Sequence, residues 1–183
     1  DVHHDYIPPS PYDRMFDPNY AGSIDGRSFM DNPRVNRKMA RVDLDHLLAL
    51  YDGEIRFTDD HIGEVVNTLA RLGLRESTLI VVLSDHGDEF FEHGHKGHYR
   101  TLYDEVMLVP LVVFLADGWG GGRVIREPAS LVDVMPTILD LVGLEVPIGM
   151  EGRSFAAALR GGSAPSGPVF GLFAGRGRGQ NIQ

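Results

Sequence analysis

Apolar residues recur at Leu44, Leu47, Leu48, Tyr51, Ile55, Ile62, Val65, Val66, Leu69 and Leu72, steps that line one face of a helix from about Arg34 to Leu72. Gly73 marks its end. Gly53 and Gly63 lie inside this stretch, each costing about 1 kcal/mol relative to Ala in a helix interior. That predicts close packing against a sheet or a break into two helices, and one long helix is the preferred reading. The period then changes. Thr78 to Leu83 is apolar without alternation, as a parallel strand covered on both faces is, and Met107 to Leu115 reads the same way. Trp119 to Gly122 forms a glycine-rich tip, and Val124-Ile125 reads as a short edge strand. Leu131 to Leu141 returns to helical spacing, with Gly143 as its stop. Strands alternating with helices predict an α/β domain, a largely parallel sheet flanked by helices.

Between these elements, Ile7 to Pro33 is rich in Pro, Gly, Asp and Asn and reads as an irregular surface excursion. The run from Gly161 to Pro168 has the composition of a linker, which places a boundary after residue 162, with 163–183 beginning a second, smaller unit. Composition adds limits. With 183 residues, 43% hydrophobic and 23% charged, the chain suits a soluble globular domain with a sizeable core. A net charge of -9 argues against nucleic acid as a partner, because phosphate binding needs an excess of basic surface. The longest apolar run, Leu108 to Ala116, is broken by Pro110 and falls well short of the ~20 residues that span a bilayer. Disulfides are excluded by the absence of cysteine.

Directly behind the first predicted strand lies the run from Ser84 to His98, which holds four of the eight histidines. In open α/β sheets, ligands bind outside the carboxyl ends of the strands, so Asp85 and His86 are the first polar groups to reach that crevice. A carboxylate oxygen beside an imidazole nitrogen suits a divalent cation, and Gly87 lets the chain turn away.

The surrounding residues carry a resemblance. Ser84-Asp85-His86-Gly87, Glu92-His93-Gly94, His98 and the segment from Leu102 to Leu111 resemble, in order and spacing, the distal half of a sulfatase of the alkaline-phosphatase superfamily. Upstream, Asp1 to Pro9 is similar to the family's Pro-His-x-Pro-Tyr segment, and Tyr51-Asp52-Gly53-Glu54-Ile55 to its Tyr-Asp-Gly-Glu-Ile helix. Downstream, Ser130 to Leu141 and Gly152-Arg153-Ser154 resemble its closing helix and turn. The resemblance covers about residues 1–155 and implies hydrolysis of a small-molecule or carbohydrate sulfate ester. By it, Asp85 and His86 are metal ligands, calcium being the implied ion. His98 and His3 are catalytic and face the transferred group or leaving oxygen, Lys96 contacts substrate, and residues 163–183 begin the C-terminal sheet.

The chain departs from the family in two ways. Val2 and Asp5 stand where proline is usual, which keeps His4 as a competitor of His3. The Cys/Ser-x-Pro-x-Arg motif that yields the formylglycine nucleophile is missing, so the chain reads as an excerpt of a longer enzyme and is expected to be inactive alone. His93 and His95 read as solvated loop residues, with Glu92 orienting His93. Two alternatives stand beside the sulfatase reading. One keeps the fold but makes the substrate a phosphate or phosphonate ester, or the reaction phosphoglycerol transfer, with Mn or Zn. The other is a non-catalytic binding domain or decayed copy. Periplasmic, secreted and cytoplasmic locations fit equally, as do several oligomeric states.

Overall fold

The computed structural model describes residues 2–115 and 121–172. In chain order its helices and strands are α1 (Arg41–Arg71), β1 (Ile80–Leu83), β2 (Glu89–Phe90), β3 (Lys96–Gly97), α2 (Asp104–Met107), β4 (Leu111–Phe114), α3 (Val134–Leu141) and α4 (Ala156–Leu159). They fall into two compact units, residues 2–72 with 86–108, and residues 73–85 with 109–115 and 121–172. The tip at Trp119 lies outside the described residues.

In the first unit the long helix is a single α1, unbroken at either glycine. It starts seven residues later than the apolar spacing predicts. Asn32 and Asn36 accept the Arg34 and Lys38 amides through their side-chain oxygens, at 3.0 and 2.9 Å, and so hold residues 32–38 in turns. The two glycines have different roles. A methyl group on Gly53 would sit 2.6 Å from the Tyr12 carbonyl oxygen and 3.0 Å from Pro8 Cγ, so the close packing foreseen for it is against the 8–12 segment rather than a sheet. Gly63 has nothing within 4 Å of such a methyl. Gly63→Ala is therefore expected to raise stability by up to about 1 kcal/mol through helix propensity alone. Gly53→Ala should lower it by about 1–3 kcal/mol, because backbone must shift. Urea melts of the two variants moving in the same direction would contradict this packing.

The 7–33 excursion departs from its reading as surface. Ile24 and Phe29 of this segment are buried with Tyr6, Val35, Leu47, Leu50 and Phe90, so the irregular segment supplies two of the seven residues of the unit's core. Tyr6 is at its centre, edge-on to Phe29 and Tyr51 at 5.0 and 5.3 Å and tilted against Phe90 at 5.4 Å. Proline, glycine and aspartate content registers turns well, but it says nothing about the few apolar side chains that turns aim inward. β2 and β3 pair antiparallel, Glu89 with Gly97 and Phe90 with Lys96, as a small hairpin.

The second unit keeps the α/β class and corrects the pairing. β1 and β4 run antiparallel, Ile80 opposite Phe114 and Leu83 opposite Leu111. An unbroken apolar run signals coverage, and coverage does not fix strand direction. The second strand is also shorter than its apolar run, since residues up to Met107 wind into α2. Among the described residues, Val124-Ile125 and 163–172 carry no strand. α3 follows a turn capped by Asp133, whose Oδ2 accepts the Ser130 amide at 2.9 Å. Its Oδ1 accepts the Arg153 amide at 2.7 Å, and Ser154 Oγ donates to Asp140 Oδ2 at 2.6 Å. The Gly152-Arg153-Ser154 turn is thereby fastened to α3. Gly152 sits at φ +92°, where a methyl would meet the Val132 carbonyl oxygen at 2.1 Å.

Candidate functional site

The first unit gathers four of its imidazoles, those of His3, His4, His86 and His98, at one place. His98 follows β3 and lies in a stack, its ring 3.6 Å from that of His86 and 4.1 Å from that of Tyr99. His98 Nδ1 is 2.8 Å from Asp88 Oδ1, and the side chains of the pair are only 14% and 8% exposed. Tyr6 donates its hydroxyl to the other oxygen, Asp88 Oδ2, at 2.5 Å. Asp88 thus joins His98 to the core, with one carboxylate oxygen for each. Burial first, and then this bond, hold the Tyr6 phenol far above its usual range, so Tyr6 is a permanent donor. A carboxylate at Nδ1 keeps a proton there and leaves Nε2 as the nitrogen that can act outward.

His3 and His4 belong to the same cluster. Their rings stack at 4.3 Å, and the His4 ring is 5.9 Å from that of His98. Glu54, buried on α1, accepts the His3 amide at 3.3 Å through Oε2 and the Ile7 amide at 2.9 Å through Oε1. The glutamate of the Tyr-Asp-Gly-Glu-Ile block is therefore the clamp for the histidine-bearing segment. Asp5, where proline was expected, accepts the Phe29 amide at 2.7 Å. His4 Nδ1 is enclosed and has no hydrogen-bond partner among the described residues. Burial, and after it the charge of His3, lower the His4 pKa, so its ring is neutral.

His86 donates from Nδ1 to the Gly87 carbonyl at 3.0 Å, which fixes a tautomer with the lone pair on Nε2. This is the arrangement that metal-ligating histidines use, and such an imidazole fits a divalent cation. Gly87 is required by close approach. Its amide donates to the Val106 carbonyl at 2.9 Å, and a methyl there would meet the Glu105 carbonyl oxygen at 2.1 Å.

Lys96 is placed differently from its sequence reading as a substrate contact. Its ammonium donates to the Phe29 and Val35 carbonyls at 2.6 and 2.8 Å, so two of its three protons serve the fold. Burial lowers its pKa, with Asp31 acting weakly against. His93 stacks on Tyr103 at 3.5 Å, with Nε2 3.3 Å from Glu105 Oε2. Glu92 turns to the Phe90 amide, 2.5 Å away, instead of orienting His93. The residue that organises this loop is Glu89. It is fully buried and accepts the His93 and His95 amides at 3.0 and 2.9 Å and the Thr101 hydroxyl at 2.9 Å. A lone glutamate after a glycine-aspartate pair carries no sequence signal for such a role.

Burial opposes the charge of Glu89, but the three donors, that of His95 foremost, outweigh it and leave the pKa below the usual value. Because the folded value is depressed, this stabilisation is complete above the unfolded pKa of about 4.3 and is lost as pH falls through the folded value. The His93 and His95 amides should accordingly keep their hydrogen-exchange protection, corrected for intrinsic rates, down to pH ~4.3 and lose it below. Protection already lost at pH 6 would refute the role given to Glu89.

Comparison with known proteins places this geometry in a context. The family model "Sulfatase" matches residues 3–144. Arylsulfatase K of Bos taurus is 30% identical over 117 residues, 64% of this chain and 21% of its own length. The chain therefore spans about a fifth of that relative. Phosphonate monoester hydrolase SpPMH from Silicibacter pomeroyi superposes with a TM-score of 0.74 at 30% identity, over 90% of this chain and 36% of its own. BT4656, solved in complex with its substrate D-glucosamine-2-N,6-O-disulfate, gives a TM-score of 0.57 at 28% identity, over 69% of this chain and 26% of its own.

Proposed function

This chain belongs to the sulfatase family, and from that premise we propose that it supplies the distal half of an active site for hydrolysing sulfate esters. The observation that carries the reading is the His98–Asp88–Tyr6 chain of hydrogen bonds beside the rings of His86 and Tyr99. In a protein that completes the site, a formylglycine hydrate would supply the nucleophile, and a divalent cation, calcium for sulfate, would offset the charge of nucleophile and sulfate. Asp85 and His86 would hold that cation, His86 through Nε2. His98, with its Nδ1 proton anchored on Asp88, presents Nε2 toward the leaving oxygen and hands it a proton as the S–O bond opens. His3, held by Glu54, contacts the transferred group, where a cationic or donating ring stabilises the oxygens that gain charge. Lys96 keeps one proton for the substrate side, the other two being held by the Phe29 and Val35 carbonyls.

A second reading makes the substrate a phosphonate or phosphate monoester, with manganese or zinc as the ion. The likeness to a phosphonate monoester hydrolase favours it. The test is an assay of the complete protein on nitrophenyl sulfate and on a phenyl phosphonate ester. A kcat/KM higher for the sulfate by tenfold or more supports the first reading, and the reverse order selects the second. Turnover of neither ester would leave a non-catalytic binding role. No described helix is long and apolar enough to cross a membrane.

A further inference from the structure

Between the two histidine segments lies a second set of metal donors that the proposed reaction does not use as such. His4, Asp88 and His98 each offer one ligand atom, and the three atoms lie within 4.8 Å of one another. We propose that His4, Asp88 and His98 form a binding site for a borderline transition-metal dication of the zinc type, separate from the cation site assigned to Asp85 and His86. Two imidazoles and a carboxylate are the donor mixture such ions take, whereas a hard ion such as calcium prefers oxygen alone. Tetrahedral bonds of about 2.0–2.1 Å place ligand atoms about 3.4 Å apart, so the observed spacing closes onto an ion by side-chain rotation.

Three further observations support the site. His4 Nδ1 is enclosed and lacks a hydrogen-bond partner among the described residues, an unfavourable state that coordination of the ring would offset. Asp88 is already oriented by the Tyr6 hydroxyl on Oδ2, the kind of outer partner that fixes a ligating carboxylate. His98 is held between the His86 and Tyr99 rings, so its orientation is set in advance. An ion bound here takes His98 as a ligand, and on the function proposed above it withdraws His98 from the leaving group. The site is then inhibitory.

Cobalt(II) is the probe, since its visible absorption reports coordination directly. The full chain should bind one Co2+ at micromolar concentration, with Zn2+ displacing it. His4→Phe, which keeps a ring in the stack, should weaken binding at least tenfold. Asp85→Ala should leave this Co2+ site unchanged, which separates it from the catalytic cation. Because the chain has no cysteine, His4→Cys provides a unique marker. A thiolate-to-cobalt charge-transfer band in that variant puts residue 4 on the metal, and cobalt binding without the band overturns the site. Unchanged affinity in His4→Phe, or no Co2+ bound by the wild-type chain at millimolar concentration, overturns it too. In the complete protein, Zn2+ should reduce turnover of wild type at concentrations at least tenfold below those needed for His4→Phe, each normalised to its own metal-free rate. Equal sensitivity would remove the inhibitory role while leaving the binding result to stand on cobalt.

Discussion

Replacing Asp85 by alanine in a protein that completes the site should reduce turnover by about 10³-fold or more and weaken the binding of the catalytic cation. A cation that offsets nucleophile and sulfate charge contributes several kcal/mol to the transition state, and each 1.36 kcal/mol is about tenfold in rate. Asp85 would be the hard oxygen donor of the pair, so its loss leaves His86 alone, a nitrogen that calcium holds poorly. The control must be chosen from the structure. His46, a histidine on the long helix, is unsuitable because it is buried, stacked on Tyr20 at 3.6 Å and 3.1 Å from Asp17 Oδ2. His61 is exposed on the same helix, its ring hydrogen-bonded to the Phe57 carbonyl one turn back, and His61→Ala should leave both quantities unchanged. Equal calcium affinity in Asp85→Ala and wild type, by calorimetry, would end the ligand assignment.

The second large effect is expected at His98. His98→Ala should lower turnover by about 10²-fold or more on a sugar sulfate, the scale of a lost general acid or charge stabiliser. The loss should shrink on nitrophenyl sulfate, because a good leaving group departs with less help. Calcium affinity should change little. The anchoring on Asp88 adds a finer expectation: Asp88→Asn should reproduce part of the loss with the same dependence on leaving group, since an amide can leave the His98 proton on the wrong nitrogen. Equal losses on both substrates would argue that His98 does not protonate the leaving oxygen.

How much of this was legible in the sequence follows from what each signal encodes. The helix with its stripe through Leu44, Leu47, Leu48 and Tyr51, and the abrupt switch to unbroken apolar runs, are written in periodicity, and both elements are present. Strand direction was not, because Val81 and Val82 read alike beside a parallel or an antiparallel partner. The histidine cluster was half legible. Asp85, His86 and His98 stand out by residue type and spacing, and resemblance brought in His3. What residue type cannot reveal is commitment. Lys96 has the chemistry for substrate but two backbone carbonyls hold it, while Asp88, Glu54 and Glu89, ordinary acids in sequence, hold backbone amides or imidazoles. Those roles depend on contacts that residue type does not encode, from the His93 amide four positions beyond Glu89 to Glu54 and Ile7 with 47 positions between their numbers.

That last contact has a practical consequence for anyone recombining members of this family. Glu54 grips the His3 and Ile7 amides from one helix position, while Gly53 lets the Tyr12 carbonyl settle against the same turn. Helix and histidine segment are thus a matched lock, keyed through backbone atoms that any sequence could supply. A crossover point placed between residues 12 and 53 is safe only if both parents carry the Gly-Glu pair. If one parent lacks it, the imported histidine arrives on a strand of chain with nothing to hold it at the site.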